Sequence, residues 1–348
     1  MKTININKEY SISNTSKTFI VAEMSGNHNQ NFDIAVKTIK AMKDAGADAV
    51  KLQTYTPDTL TINCSNEYFK IKGTLWSGKT LYDLYSIAYT PWDWQPKLKK
   101  IAEDLGLVFF STPFDKSSVD FLEKMNVLLY KVASFEANDI QLLQYIASKK
   151  KPIIVSTGMS TLSEIQDVIE ICEKEKNSNL VLLKCTSAYP APFKDINLKT
   201  IPNMIETFNV PVGISDHTYG ITVPISAVAL GAKVVEKHFI LDKSLGGPDS
   251  EFSLEPKDFG LMVKSIREAE ESLGCVNYKI SECQEKSRQF MRSLFVVKDV
   301  KKGEKFSSDN VRSIRPGFGL SPKFIDDVIG RVSKSDIKKG TPFSWKLV

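Results

Sequence analysis

The chain has 348 residues, 42% hydrophobic and 25% charged, with a formal net charge of +5, which fits one large domain plus a small one. So mild and dispersed a positive balance argues against nucleic acid, which calls for a concentrated basic stripe, and suits small anionic substrates. No run of about 18 apolar residues offers a transmembrane helix, and neither a signal-peptide core in MKTININKEYSIS nor a C-x-x-C pair among five scattered cysteines points away from the cytoplasm.

Short apolar runs alternate with helical patterns along most of the chain. The runs are Thr18 to Ser25, Ala49 to Tyr55, Val108 to Phe114 and Leu129 to Ser134, then Pro152 to Gly158, Val181 to Ser187, Val212 to Thr218 and Val234 to Ile240. Each is rich in β-branched or other apolar residues and precedes a helical segment. After the first run, Phe32, Val36, Ile39 and Met42 recur at helical spacing and Gly46 supplies a stop. After the fifth, Thr161 and Glu164 form a capping-box pattern ahead of Ile165, Val168, Ile169 and Cys172. After the eighth, Pro256 opens a helix whose apolar face is Phe259, Val263, Ile266 and Leu273. Eight strand-then-helix units predict an α/β fold, a (β/α)8 TIM barrel over residues 1–275. The alternative, a doubly wound open sheet, lacks a G-x-G-x-x-G after the first strand.

The second connection, Cys64 to about Trp94, is long enough to be a lid or binding loop, and its aromatics could wall a sugar pocket or anchor the loop. Residues 276–289 read as a linker. In the tail, 290–348, Asp299-Val300-Lys301-Lys302-Gly303-Glu304-Lys305-Phe306 is echoed by Asp336-Ile337-Lys338-Lys339-Gly340-Thr341-Pro342-Phe343. Two copies of one turn-containing unit predict a small pseudo-symmetric β-rich module.

The three histidines, His28, His217 and His238, all fall at predicted strand ends or just beyond, the catalytic face of a barrel. His217 and His238 end adjacent strands, so two imidazoles form a half-shell for a divalent metal, with positions open to water and substrate. Ser215, Asp216 and Glu236 are candidate partners behind them. Lys51 and Gln53 share a face, and Thr112, Lys131, Ser134, Glu136, Ser156, Thr157 and Ser187 crowd the same rim. Lysines in a barrel mouth need anionic company, and hydroxyls beside them suit phosphate and carboxylate oxygens. Strict alternation puts Lys131 and Ser134 on opposite faces, so either a bulge intervenes or Ser134 belongs to the loop. Glu23 is a candidate acid/base or the ion-pair partner of a lysine.

The strings AEMSGNHNQ, VKLQT, STPFD, KVASFE, STGMS, CTSAYPAP, GISDHT, EKHF and GGPDSEFSLEP resemble, in order, the sialic acid synthase family, and RSIRPGFGLSP with the tail resembles that family's antifreeze-like (SAF) domain. The resemblance implies metal-dependent, aldol-like condensation of phosphoenolpyruvate with an open-chain N-acetylated hexose, releasing phosphate. By the same likeness His217 and His238 hold Mn²⁺ or Mg²⁺, and Lys51, Thr112, Lys131, Ser134, Ser156, Ser187 and Ser215 bind phosphoenolpyruvate. Gln53, Glu136, Tyr189 and Asp249 orient the sugar, with Glu23 near the reacting centre. Arg315 reaches the partner subunit's site in a domain-swapped homodimer. Ser187 departs from the asparagine common in the bacterial sialic acid branch.

AEMSGNHNQ and GGPDSEF stand where sialic acid synthases typically read A-E-I-G-x-N-H-x-G and G-P-D-H, with Ser250 in place of that histidine. With TLYDLY and TPWDW they are similar to the pseudaminic-acid-forming branch, whose substrate is 2,4-diacetamido-2,4,6-trideoxy-L-altrose. The rival readings are an N-acetylneuraminic or legionaminic acid synthase, a pyruvate-using barrel lyase, and, from another class, a non-catalytic carbohydrate- or ice-binding protein.

Overall fold

In the computed structural model, which describes residues 2–348, each of the eight apolar runs forms a parallel strand of one closed barrel. The strands are β1 (Phe19–Glu23), β2 (Ala49–Thr54), β3 (Val108–Pro113), β4 (Tyr130–Val132), β5 (Ile153–Ser156), β6 (Leu180–Cys185), β7 (Val212–Asp216) and β8 (Val234–His238). β8 pairs with both β7 and β1, which closes the ring. The strands are one to three residues shorter than their apolar runs, because pairing ends where the chain turns out toward the helices. β4 stops at Val132, so Ser134 lies in the loop and no bulge is needed.

The helix following each strand shields its outer face. They are α1 (Phe32–Asp44), α2 (Gln95–Asp104), α3 (Lys116–Lys124), α4 (Ile140–Ser148), α5 (Leu162–Lys174), α6 (Thr200–Phe208), α7 (Thr222–Ala229) and α8 (Pro256–Leu273). Gly46 ends α1 with φ of +86°, a left-handed conformation that costs glycine little. At α5 the Thr161 hydroxyl accepts from Glu164 N–H and the Glu164 carboxylate accepts from Thr161 N–H, so two otherwise orphaned donors are satisfied. Phe259, Met262 and Ile266 are the buried face of α8, whereas Leu273 is exposed because the last turn runs past the layer it packs on.

Period-two alternation divides the barrel interior into two halves. Phe19, Val21, Ala49, Val108, Phe110, Leu129, Ile154, Val181, Leu183 and Val234 fill its N-terminal half. A short hairpin, Ile4–Asn5 paired with Ser11–Ile12, adds Ile4, Ile6 and Ile12 to that cluster and stoppers the lower end. Space there is short: a Cβ on Gly213 would come within 2.7 Å of both Leu183 Cδ2 and Val234 Cβ. Polar side chains are left for the C-terminal half.

The chain divides into two compact units, residues 1–274 and 275–348. Residues 276–289 carry one short helix, Glu282–Ser287, with every side chain exposed. In the second unit β9 (Ser293–Val296) pairs antiparallel with β10 (Val311–Ile314). The two echoed segments bind each other reciprocally. Asp299 accepts from Lys339 N–H at 2.9 Å, and Asp336 accepts from Lys302 N–H at the same distance. Val300 bridges Ile337, and the Phe306 and Phe343 rings meet edge to face with centroids 4.8 Å apart. The internal repeat is therefore a pseudo-two-fold in space.

Candidate active site

The register that buries the lower half carries polar side chains to the upper one. Val21 is followed on the same face by Glu23, Ala49 by Lys51 and Gln53, and Phe110 by Thr112. Leu129 leads to Lys131, Ile154 to Ser156, and Val234 to Glu236 and His238. All but Gln53 are buried.

On β7 and β8 the pairs Glu236–Ser215 and Lys237–Asp216 are in register, so the next step sets His238 beside His217. The two imidazole centroids lie 5.3 Å apart. Ser215 Oγ donates to Glu236 Oε1 at 3.3 Å, on the same inner face. His217 Nδ1 is 3.3 Å from the Thr186 carbonyl, which can only accept, so Nδ1 carries a proton. Burial opposes the charged ring, but the Cys185 thiol beside it and Asp216 prevail and raise the group. His238 Nδ1 is buried with no hydrogen-bond partner, 3.7 Å from Asp249 Oδ2. Burial and the neighbouring positive groups hold His238 well below its ordinary value, so its imidazole is neutral. Among the described residues no set of three or more His, Cys, Asp or Glu side chains forms a finished metal cage. An orphaned imidazole nitrogen beside a second ring fits a divalent cation that takes its other ligands from water and substrate.

Next to the histidines, Lys51 Nζ lies 2.7 Å from Glu23 Oε2, 3.4 Å from Glu236 Oε1 and 3.3 Å from Thr112 Oγ1. Gln53 Nε2 donates to Glu23 Oε1 at 3.1 Å. Lys131 Nζ donates to Ser156 Oγ at 2.7 Å. Burial opposes ionisation of both carboxyls. At Glu236 the Lys131 and Lys51 ammoniums more than offset it, and the group is held below its ordinary value. At Glu23 burial prevails over Lys51 and the carboxyl is raised. Two nearby carboxylates driven apart in this way suit one to stay charged and the other to exchange a proton. Glu23 is thus both the lysine partner and the acid/base candidate.

The pattern of the NeuB family matches residues 38–278, and that of the SAF domain matches 291–348. The chain belongs to the NeuB family. It is 51% identical to a pseudaminic acid synthase of Campylobacter jejuni over 324 residues, 93% of this chain and 94% of that one. It is 45% identical to a pseudaminic acid synthase of Helicobacter pylori over 93% of this chain and 96% of that one. Among solved structures it resembles an N-acetylneuraminic acid synthetase of Leptospira borgpetersenii, crystallised with citrate. That likeness has a TM-score of 0.73 and 30% identity, covering 82% of this chain and 95% of that one.

In this NeuB-family barrel the loops after β4, β5 and β6 bring hydroxyls together. Gly158 N–H donates to Ser134 Oγ at 3.1 Å. A Cβ on Gly158 would overlap Ser187 Oγ and come within 2.9 Å of Ser134 Oγ. Glu136 reaches the same rim with Oε2 unpartnered, and burial pushes its carboxyl up to about 7 against the pull of Lys131. Tyr189 lies against His217, centroids 4.4 Å apart, and Trp76 from the long second connection lies 5.7 Å beyond Tyr189. Trp76 Nε1 donates to the Pro248 carbonyl at 2.8 Å, tying that connection to the loop after β8. A cleft of about 600 Å³, lined by Trp76, Lys79, Asn29, Pro248 and Ser250 among others, lies between them.

Not every rim residue converges. His28 is buried away from the site: Nε2 meets Thr90 Oγ1 at 3.1 Å, Nδ1 accepts from Gln30 N–H, and the ring packs edge to face on Trp94. Burial lowers it to about 4, as befits a neutral structural histidine. The Thr157 hydroxyl is spent on the Leu183 carbonyl. Asp216 turns from the histidines to Lys237. Arg315 lies exposed just after β10 in the second unit. Cys185, at the end of β6, also reaches the site, although a lone cysteine in an apolar strand carries no distinguishing sequence signal. Its Sγ lies 3.8 Å from both His217 Nδ1 and Ser187 Oγ.

Proposed function

We propose that this NeuB-family chain condenses phosphoenolpyruvate with 2,4-diacetamido-2,4,6-trideoxy-L-altrose to give pseudaminic acid and phosphate. The observation that carries the reading is the meeting, at one barrel end, of two buried ammoniums, a ring of hydroxyls and two adjoining imidazoles. The choice of sugar is supported by relatives named pseudaminic acid synthase at 45% and 51% identity.

His217 and His238 hold a divalent cation, Mn²⁺ or Mg²⁺, which when bound supplies Lewis-acid polarisation of the sugar aldehyde. Lys51, Lys131, Thr112, Ser134, Ser156, Ser187 and Ser215 bind the phosphate and carboxylate of phosphoenolpyruvate. Gln53, Glu136, Tyr189 and Asp249 orient the open-chain sugar. C3 of phosphoenolpyruvate bonds to the aldehyde carbon and the former aldehyde oxygen takes up a proton. Water adds at C2, passing one proton to Glu23 to replace the one consumed, and the C2 hydroxyl gives its other proton to the phosphate as the C2–O bond breaks and C2 becomes a ketone. The lysines offset the charge on the departing phosphate.

The enzyme acts in the cytoplasm as a domain-swapped homodimer, in which Arg315 of the partner subunit contacts the sugar's N-acyl region. The odd, scattered set of five cysteines supports a reducing compartment. A panel of 2,4-diacetamido-2,4,6-trideoxy-L-altrose, N-acetylmannosamine and the legionaminic acid precursor, each with phosphoenolpyruvate and Mn²⁺, tests the assignment by phosphate release. Preference for N-acetylmannosamine would overturn the choice of sugar.

A further inference from the structure

Directly behind the two histidines, on the outer face of the barrel, lies an ion pair that the proposed reaction does not use. Lys237 Nζ is 2.5 Å from Asp216 Oδ2, and both side chains are inaccessible to solvent. Lys237 also donates to the carbonyl of Thr218. Asp216 in turn accepts from Thr218 N–H through Oδ1 and from the Thr218 hydroxyl through Oδ2, each at 3.1 Å. One ammonium on β8 therefore grips the residue before His217 and the residue after it, while the next residue on its own strand is His238.

We infer that Lys237 and Asp216 are positioning residues, a cross-strand clamp that sets the spacing of the His217 and His238 imidazoles for the metal. β-ladder pairing between these strands reaches only to Lys237 and Asp216, so His217 sits one residue beyond the last paired position of β7. The clamp continues the connection where the ladder stops. A buried ion pair is an expensive way to gain stability, since apolar residues of similar volume often serve as well or better. Its retention here, with every contact directed at the residues flanking one histidine, is explained by geometry at the site. Removing the clamp lets the end of β7 move against β8 and loosens a metal site that has only two protein ligands.

The inference rests on the metal reading above, and one set of measurements separates the two. Mn²⁺ binding to the full chain is followed by electron paramagnetic resonance of the free ion, with thermal melts in chelator. The double variant Asp216→Asn/Lys237→Met removes the charges together. The expected result is metal-free melting within a few degrees of the parent and Mn²⁺ binding weakened at least tenfold, the range set by outer-shell partners of metal ligands. If the double variant does not fold, Lys237→Arg and Asp216→Glu keep the pair but change its length, and each should weaken Mn²⁺ binding at least threefold with little change in melting. A folded variant that binds Mn²⁺ as the parent does overturns the clamp and leaves the metal reading intact. A parent protein that binds no Mn²⁺ overturns the metal reading and the clamp with it.

Discussion

Lys51 Nζ lies 2.7 Å from Glu23 Oε2 and 3.4 Å from Glu236 Oε1, so a single ammonium is shared by two buried carboxyls. Glu236 stays charged while burial raises Glu23. Replacing Glu23 with glutamine keeps the contact to Gln53 and leaves Lys51 its second partner. It should lower kcat by about 10²–10⁴-fold, the usual worth of a positioned acid/base, with melting within a few degrees of the parent. Phosphate release and a thermal melt on the same sample decide it; parental turnover would remove Glu23 from the reaction.

The Glu136 carboxyl, pushed up to about 7 by burial, gives a pH-dependent stability of defined sign. The folded protein holds that proton more tightly than the unfolded chain. Its stabilising contribution is full below the unfolded value of about 4.3 and is lost as pH rises through about 7. Glu136→Gln should therefore gain stability relative to the parent between pH 5 and pH 8, by up to a few kcal/mol on the order-of-magnitude linkage scale. Urea unfolding at the two pH values checks this, and a pH-independent difference would contradict it.

Trp76 holds the long second connection to the loop after β8 and flanks Tyr189. Trp76→Ala loses a ring contact worth about 0.5–1.5 kcal/mol. It should raise KM for the sugar by about 2–10-fold while leaving KM for phosphoenolpyruvate near the parental value. Steady-state kinetics with each substrate varied in turn read this, and equal changes in both would show a general loosening of the rim.

The proposed domain-swapped homodimer makes a prediction about mixtures. Arg315→Ala and His238→Ala chains should each have little activity alone. Unfolded and refolded together at equal amounts, they should form hybrid dimers with one intact site, restoring about a quarter of parental activity by random pairing. Mixtures no more active than the mean of the two parts would place Arg315 in the site of its own chain or in none.

Most of the barrel was legible because parallel strands buried on both faces read as unbroken apolar runs. The pairing of His217 with His238 followed from strand order, since closing residues in consecutive strands meet at one rim. His28 carried the same sequence signature, but its ring is claimed by Thr90 and Trp94, more than sixty residues away, a tertiary contact that no local pattern records. Asp216 shares a strand end with His217 and yet faces outward, because alternation turns neighbouring residues to opposite sides. The N-terminal hairpin has no sequence signature for a related reason: its strands are two residues long, and only Ile4, Ile6 and Ile12 packing under the barrel gives it form.

The central claim is tested most directly by analysing the products of phosphoenolpyruvate and 2,4-diacetamido-2,4,6-trideoxy-L-altrose by mass spectrometry and phosphate assay, with and without chelator. The account predicts one phosphate for each nine-carbon α-keto sugar acid formed, and no product once the divalent cation is removed. The same sugar acid formed from pyruvate in place of phosphoenolpyruvate, or undiminished turnover in chelator, would contradict it.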